Sequence, residues 1–251
     1  MVKASGGVAY GYRCDLTNRE EIYKVAESVT KEIGQVTILI NNAGFANEKF
    51  LLDTPDELIR RTFDVNILAH FWTVKAFLRK MIENNHGHIV TIASLAGHVG
   101  VHNLVDYCSS KFAAVGFDEA LRIELEKLGA DGVKTTVVCP YFIQATGMFN
   151  HVQSKFVSTL KSTQVADEIV TAIQMEKISV IIPGYLRFVF LKWIFPWSVV
   201  SLFLKSVINS TPASSPEVLP SDNDNTKKEE INFQKITENE LKRRIRVDDE
   251  L

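Results

Sequence analysis

The sequence predicts an α/β fold, a parallel sheet covered by helices, on three observations. Strand-like β-branched runs alternate with stretches whose apolar residues recur at helical spacing. The run His88-Ile-Val-Thr-Ile-Ala93 fits a strand buried on both faces. Small polar residues, Asn41-Asn-Ala-Gly44 and Ser94, close two strands at the edge where open α/β sheets gather ligands.

Val8–Arg13 reads as the first strand. Thr17-Asn-Arg-Glu20 forms a capping box, and Ile22, Val25, Ala26, Val29 and Ile33 follow at helical spacing until Gly34 stops the helix. Val36–Ile40 is the next strand. Thr54-Pro-Asp-Glu57 is a second capping box with proline at the first helical position, opening a helical stretch to Glu83 with an interruption near Asp64–Asn66. After the strand at Gly87–Ala93, Asp106–Leu128 is helical and Gly129 is its stop. Val133–Cys139 is a strand ended by Pro140, Tyr141–Ser162 has no steady period, Gln164–Met175 is a helix and Ile178–Pro183 a last strand. At least five strands result.

Residues 1–184 form the folded domain on this reading, and residues 185–209 differ in character. Phe188, Phe190, Trp193, Phe195, Trp197 and Phe203 stand there between Arg187, Lys192 and Lys205. A spanning helix needs about 20 apolar residues with few charges, so the segment suits a membrane-interface element, or equally an amphipathic core helix. Residues 210–251 carry Pro, Ser, Asn and charge runs that cannot bury enough surface to fold, which predicts a disordered polar tail.

A chain of 251 residues supports one core, and a net charge of −2 implies no nucleic-acid partner. Cys14, Cys108 and Cys139 are odd in number and widely spaced, which argues against a disulfide framework and for a reducing compartment. The six histidines show no ligand spacing, so no metal is expected. The opening Met1-Val-Lys-Ala-Ser-Gly-Gly has no apolar run, and no signal peptide is expected.

Tyr107 and Lys111 lie four residues apart, on one face of one helix. A neighbouring cation favours the phenolate, so the tyrosine can exchange a proton with an alcohol or carbonyl oxygen; on spacing alone a surface pair is the commoner outcome. Ser94, thirteen positions upstream at a strand end, can hydrogen-bond that oxygen. It is no hydrolase nucleophile, because Ala93-Ser-Leu-Ala-Gly97 lacks the glycine two positions before the serine.

Together, Asn41-Asn-Ala-Gly44, Asn66 within Asp-Val-Asn-Ile, Ser94, and Tyr107 with Lys111 resemble the short-chain dehydrogenase/reductase family in order and spacing, over about residues 3–185. The resemblance implies a Rossmann-like doubly wound parallel sheet and an NAD(P)-dependent oxidoreductase, with NAD slightly favoured over NADP. It implies Tyr107 as general acid/base, Ser94 orienting the substrate oxygen, Lys111 lowering the tyrosine's pKa and binding the nicotinamide ribose, and Asn66 holding a relay water. Asp15 would lie against adenine; its alternative is a helix-entry aspartate. Asn42, Ala43, Gly44 and Ile143 would contact the cofactor. Asn84-Asn-His-Gly-His-Ile-Val90 and Cys139-Pro-Tyr-Phe-Ile143 are similar to a microsomal and lipid-droplet group of retinol and steroid dehydrogenases. That implies a lipophilic alcohol or carbonyl substrate, the cytosolic face of the endoplasmic reticulum membrane or a lipid droplet, and a homodimer through the helices of residues 56–83 and 106–128.

The sequence departs from the family in two places. The opening strand with Thr-Gly-x-x-x-Gly-x-Gly is not found, since Gly6, Gly7 and Gly11 precede a strand instead of following one, so the expectation is a sheet missing its first strands and glycine-rich loop. An alternative function follows: a catalytically silent fragment that binds a membrane, a droplet or a partner. After Pro140, Thr146 stands one residue late for the threonine near the cofactor amide, so Ile143 is the safer carry-over.

Overall fold

Four parallel strands in chain order form the sheet of the computed structural model, which describes residues 6–144, 148 and 159–207, with side chains to residue 202. They are β1 (Ile38–Asn41), β2 (Gly87–Ile92), β3 (Val133–Pro140) and β4 (Ser179–Ile182). Asn41 stands beside Thr91, Ile89 beside Thr135 and Cys139 beside Ile181. Every residue of β2 is buried, as its apolar run predicted for an inner strand.

The helices between the strands are α1 (Arg19–Glu32), α2 (Asp56–Phe63), α3 (Ala69–Glu83), α4 (Val105–Lys127) and α5 (Ser162–Gln174), with α6 (Trp197–Val207) at the end. Val74 and Met81 of α3 and Leu121 and Leu125 of α4 close on Ile89 and Val133. A second cluster joins Val90, Val138 and Ile181 with Ala114 of α4 and Val165 of α5. Between α2 and α3 the chain makes a π turn over Asp64–Leu68, where the Ala69 N–H donates to Asp64 O, five residues back. This is the predicted interruption, and such turns cluster at functional sites.

Three expectations are corrected. Residues 7–13 form no strand, and Val8 and Tyr10 are exposed, so the described sheet has four strands and not five. A strand exists only through its ladder partner, and the outer edge of β1 has none among the described residues, leaving Ile38 and Ile40 exposed. Asn18 rather than Thr17 caps α1, its Oδ1 accepting from the Glu21 N–H at 3.1 Å. The Thr54 box does not form either: Thr54 Oγ1 donates to Phe50 O at 2.8 Å, and α2 begins after Pro55 with no side-chain cap.

The aromatic segment belongs to the same compact unit as the sheet, Met1–Ser210. Gly184–Trp193 winds in tight 3-10 turns before α6, and no described helix is long and apolar enough to cross a membrane. Trp193 and Trp197 are each 73% exposed. The expected disordered tail, Thr146 and the side chain of Phe203 lie outside the described residues.

Candidate active site

The turns that leave β1, β2 and β3 at their carboxyl ends meet the first turns of α4. There the sequence places a polar stripe, Asp106, Tyr107, Ser110 and Lys111, all buried, on the helix side that faces the sheet. Asp106 pins this end: its Oδ2 accepts from Asn47 Nδ2 and from Thr62 Oγ1, each at 2.6 Å. Buried charge-assisted hydrogen bonds of this kind fix geometry.

Ser94 follows β2 and opens the Leu95–Gly97 turn, where its Oγ accepts from the Ala96 N–H at 3.1 Å. Its hydroxyl also hydrogen-bonds the Tyr107 phenol. Lys111 Nζ donates to Ile92 O at 2.9 Å and lies 5.7 Å from the Tyr107 ring centroid. Asn66 sits in the π turn with its side chain fully engaged. Its Nδ2 donates to Phe45 O at 2.8 Å and to Ser110 Oγ at 2.9 Å, and its Oδ1 accepts from the Phe45 N–H at 2.7 Å. The amide therefore ties the turn after β1 to α4.

Gly44 completes the cluster. A Cβ there would stand 3.7 Å from Asn66 Oδ1 and 3.8 Å from Lys111 Nζ, ordinary contact distances, and 3.3 Å from the flexible end of Met148, so this turn packs directly beside the asparagine and the lysine. Asn42 and Ala43, just before it, are exposed. Ile143 makes a parallel bridge to Leu160 that uses the Gln144 N–H and the Phe142 carbonyl, which turns Ile143's own amide groups to the opposite side. Ser94, Tyr107, Lys111, Asn66 and Gly44 are thus brought together. Asp15 stands in the turn before α1, its Oδ1 accepting from the Thr17 N–H at 2.9 Å and hydroxyl at 2.8 Å, and these bonds hold its carboxyl below the usual range.

Burial dominates the electrostatics. It pushes the Tyr107 phenol up to about 12, against the Ser94 hydrogen bond that pulls it down. Lys111 is pushed down to about 8 by the same loss of water. Tyr107 keeps its proton at neutral pH.

Asp106, Ser110 and His70 escaped the sequence reading. Ser110 Oγ donates to Tyr107 O at 2.7 Å while accepting from Asn66. The available signal was polar residues at helical spacing on α4, facing the core. Cys139 Sγ lies 3.4 Å from His98 Nε2, and burial pushes its thiol up to about 12. No group of three metal-ligating side chains occurs among the described residues.

A parallel α/β sheet with a serine, a tyrosine and a lysine converging at its carboxyl edge defines a dinucleotide-type oxidoreductase fold. The chain belongs to the short-chain dehydrogenase family, whose profile matches residues 1–156. It is 46% identical over 204 residues to the short-chain dehydrogenase/reductase family 16C member 6 of Bos taurus, covering 80% of this chain and 60% of that protein. It is 48% identical over 198 residues to epidermal retinol dehydrogenase 2 of Mus musculus (77% and 64%), and 46% over 182 residues to human 17-beta-hydroxysteroid dehydrogenase 13 (72% and 60%). The chain thus spans less than two thirds of the length of these relatives. A crystal structure of a Burkholderia phymatum short-chain dehydrogenase/reductase in complex with NAD is similar at a TM-score of 0.66 and 25% identity, over 80% of this chain and 79% of that one.

Proposed function

We propose that this chain carries the proton-transfer site of an NAD(P)-dependent oxidoreductase acting on a lipophilic alcohol or carbonyl. The observation that carries the reading is the Ser94–Tyr107 hydrogen bond set over Lys111. In reduction the Tyr107 hydroxyl donates its proton to the substrate oxygen, which Ser94 Oγ holds by a second hydrogen bond. In oxidation the proton returns to the phenolic oxygen. Lys111 offers the cation that compensates a phenolate once it forms, and a relay water would be held by the Asn66 backbone, since that side chain is fully engaged.

The nicotinamide end of the cofactor fits the residues present. Asn42, Ala43, Gly44, Tyr107, Lys111 and Ile143 would hold it, Gly44 standing beside Asn66 and Lys111. When bound, the cofactor supplies or accepts the hydride. NAD is favoured over NADP only by the structural relative described in complex with NAD. The described residues include no glycine-rich turn between a strand and a helix N-terminus, the usual seat of a pyrophosphate.

The relatives named for retinol and 17-beta-hydroxysteroids support a lipophilic substrate. Phe188, Trp193, Ile194 and Trp197, all more than 60% exposed, support docking on the cytosolic face of the endoplasmic reticulum membrane or a lipid droplet. Exposed Phe71, Phe112 and Ile123 on α3 and α4 support a homodimer. The second reading is a silent fragment that docks on such a surface without turnover.

Titration of the 251-residue chain with NAD and NADP separates the two. Micromolar binding, with retinol or steroid turnover that Tyr107→Phe abolishes while binding persists, carries the first reading. No binding carries the second. Turnover indifferent to Tyr107→Phe overturns the catalytic assignment.

A further inference from the structure

Between the β1–β2 pair, α3 and α4, a group of buried polar atoms has no hydrogen-bond partner among the described residues. His70 is 2% exposed, Asn41 7%, and Thr91 and Asp118 are fully buried. Among the described residues, Asn41 Nδ2, both ring nitrogens of His70, Thr91 Oγ1 and Asp118 Oδ1 have no hydrogen-bond partner. These groups belong to one place. Asn41 and Thr91 are neighbours in the β1–β2 ladder. Thr73 Oγ1 reaches both Asn41 Oδ1 at 2.7 Å and His70 O at 3.2 Å, joining the strand to the α3 turn that carries His70. The His70 ring meets the Phe117 ring edge-on at 6.3 Å, and the next residue of α4 is Asp118. Thr91 lies beside the Asp118 carboxyl and helps hold its pKa down, although their oxygens make no direct hydrogen bond of ordinary geometry.

Each orphaned polar group in a dry core costs about 1–3 kcal/mol, and several around one spot are untypical of native interiors. Water inside proteins sits where two to four polar partners converge. A neutral imidazole has one donor and one acceptor nitrogen, so it links two waters instead of ending a chain. Burial, reinforced by the charge of Lys111, pushes His70 down to about 3 and keeps it in that neutral form. Lys111 Nζ, itself buried, directs one proton to Ile92 O and has two more donors to satisfy.

We infer that Asn41, His70, Thr91 and Asp118 enclose ordered water, and that His70 is the positioning residue that holds this water against the inner side of Lys111. The part concerning Lys111 rests on the reading of that residue as the cation of the proton-transfer site; the hydrated pocket itself does not. The charged and titratable groups around it are Lys111, Asp118 and Arg122, the last binding Asp118 Oδ2 at 3.0 Å.

Two variants and one spectrum test it on the 251-residue chain. With histidine-selective 15N and 13C labelling, the His70 ring protons should show a nuclear Overhauser contact to long-lived bound water at neutral pH. His70→Leu should lower the thermal unfolding midpoint by about 3 °C or more, since lost hydrogen bonds of about 1 kcal/mol shift a domain of this size by about 2–4 °C. His70→Gln, which keeps a donor and an acceptor, should recover at least half of that loss. A dry pocket reverses the sign, because removing two orphaned nitrogens from an apolar site raises the midpoint in His70→Leu. Absence of the water contact overturns the proposal whatever the midpoints show, and it remains readable on the unmodified chain if a variant does not fold. Neither measurement uses turnover, so failure of the oxidoreductase reading, seen with Tyr107→Phe, leaves a distinct signature.

Discussion

Gly97 lies against the backbone of Lys111 so closely that a Cβ on it would stand 2.7 Å from the Lys111 carbonyl oxygen and 2.9 Å from Val115 Cγ2. This contact sets the distance between the serine turn and the helix that carries the tyrosine and lysine.

Gly97→Ala must therefore push the Ser94 turn off α4. Overpacking of this kind costs about 1–3 kcal/mol, readable by urea unfolding. Where turnover is measurable, it should fall along with stability, because Ser94 loses its register with Tyr107. Gly100→Ala is the control: a Cβ there meets nothing within 4 Å, and stability should be unchanged.

Asp106→Ala leaves Asn47 Nδ2 buried without its acceptor and frees Thr62 Oγ1, which keeps only Leu58 O, from the end of α4. The expected loss is about 2 kcal/mol or more by chemical denaturation, with Asp106→Asn much milder because its carbonyl oxygen still accepts. Equal effects of the two variants would show that the network does not hold the end of α4.

Asp118 gives a pH signature. Burial pushes its carboxyl from 3.8 up to about 6, so between those values the folded state binds the proton more tightly than the unfolded state. Stability from this group is then present at low pH and is lost as pH rises through about 6. Relative to Asp118→Asn, the natural chain should lose about 2 kcal/mol between pH 4 and pH 6.5. His70 titrates in the opposite sense, its neutral folded form losing stability as pH falls below 6.5, but it contributes to both proteins and cancels in the difference. A flat difference curve would remove the buried-carboxyl account.

Trp193 and Trp197 are exposed, so replacing both by alanine should leave the unfolding midpoint unchanged. Flotation with phospholipid vesicles should nevertheless drop by roughly tenfold or more, if aromatic burial at the interface supplies about 1.4 kcal/mol or more. Flotation indifferent to both changes would place any membrane contact elsewhere.

Much was legible in the sequence because it depends on local chemistry. The β-branched runs at residues 88–93 and 133–139 read as strands of a covered parallel sheet, and the i, i+4 relation of Tyr107 to Lys111 needs nothing beyond a helix. The helix interruption expected at Asp64–Asn66 stops two residues short of the full π segment, Asp64–Leu68. By contrast, the strand expected at Val8–Arg13 has the right residues and no structure, since a strand's hydrogen bonds belong to its neighbour and not to itself.

The caps failed for a related reason: Thr17 and Thr54 both had closer oxygens, Asp15 Oδ1 and Phe50 O, and a hydroxyl follows its nearest partner. The sequence by itself thus determined the fold class and which residues could do proton chemistry. Only the tertiary structure decided that the Asn66 side chain joins the turn after β1 to α4, that Asp106 gathers Asn47 and Thr62, and that the His70 ring is buried. Those outcomes depend on burial, and burial is a property of the surrounding atoms, which sequence spacing does not specify.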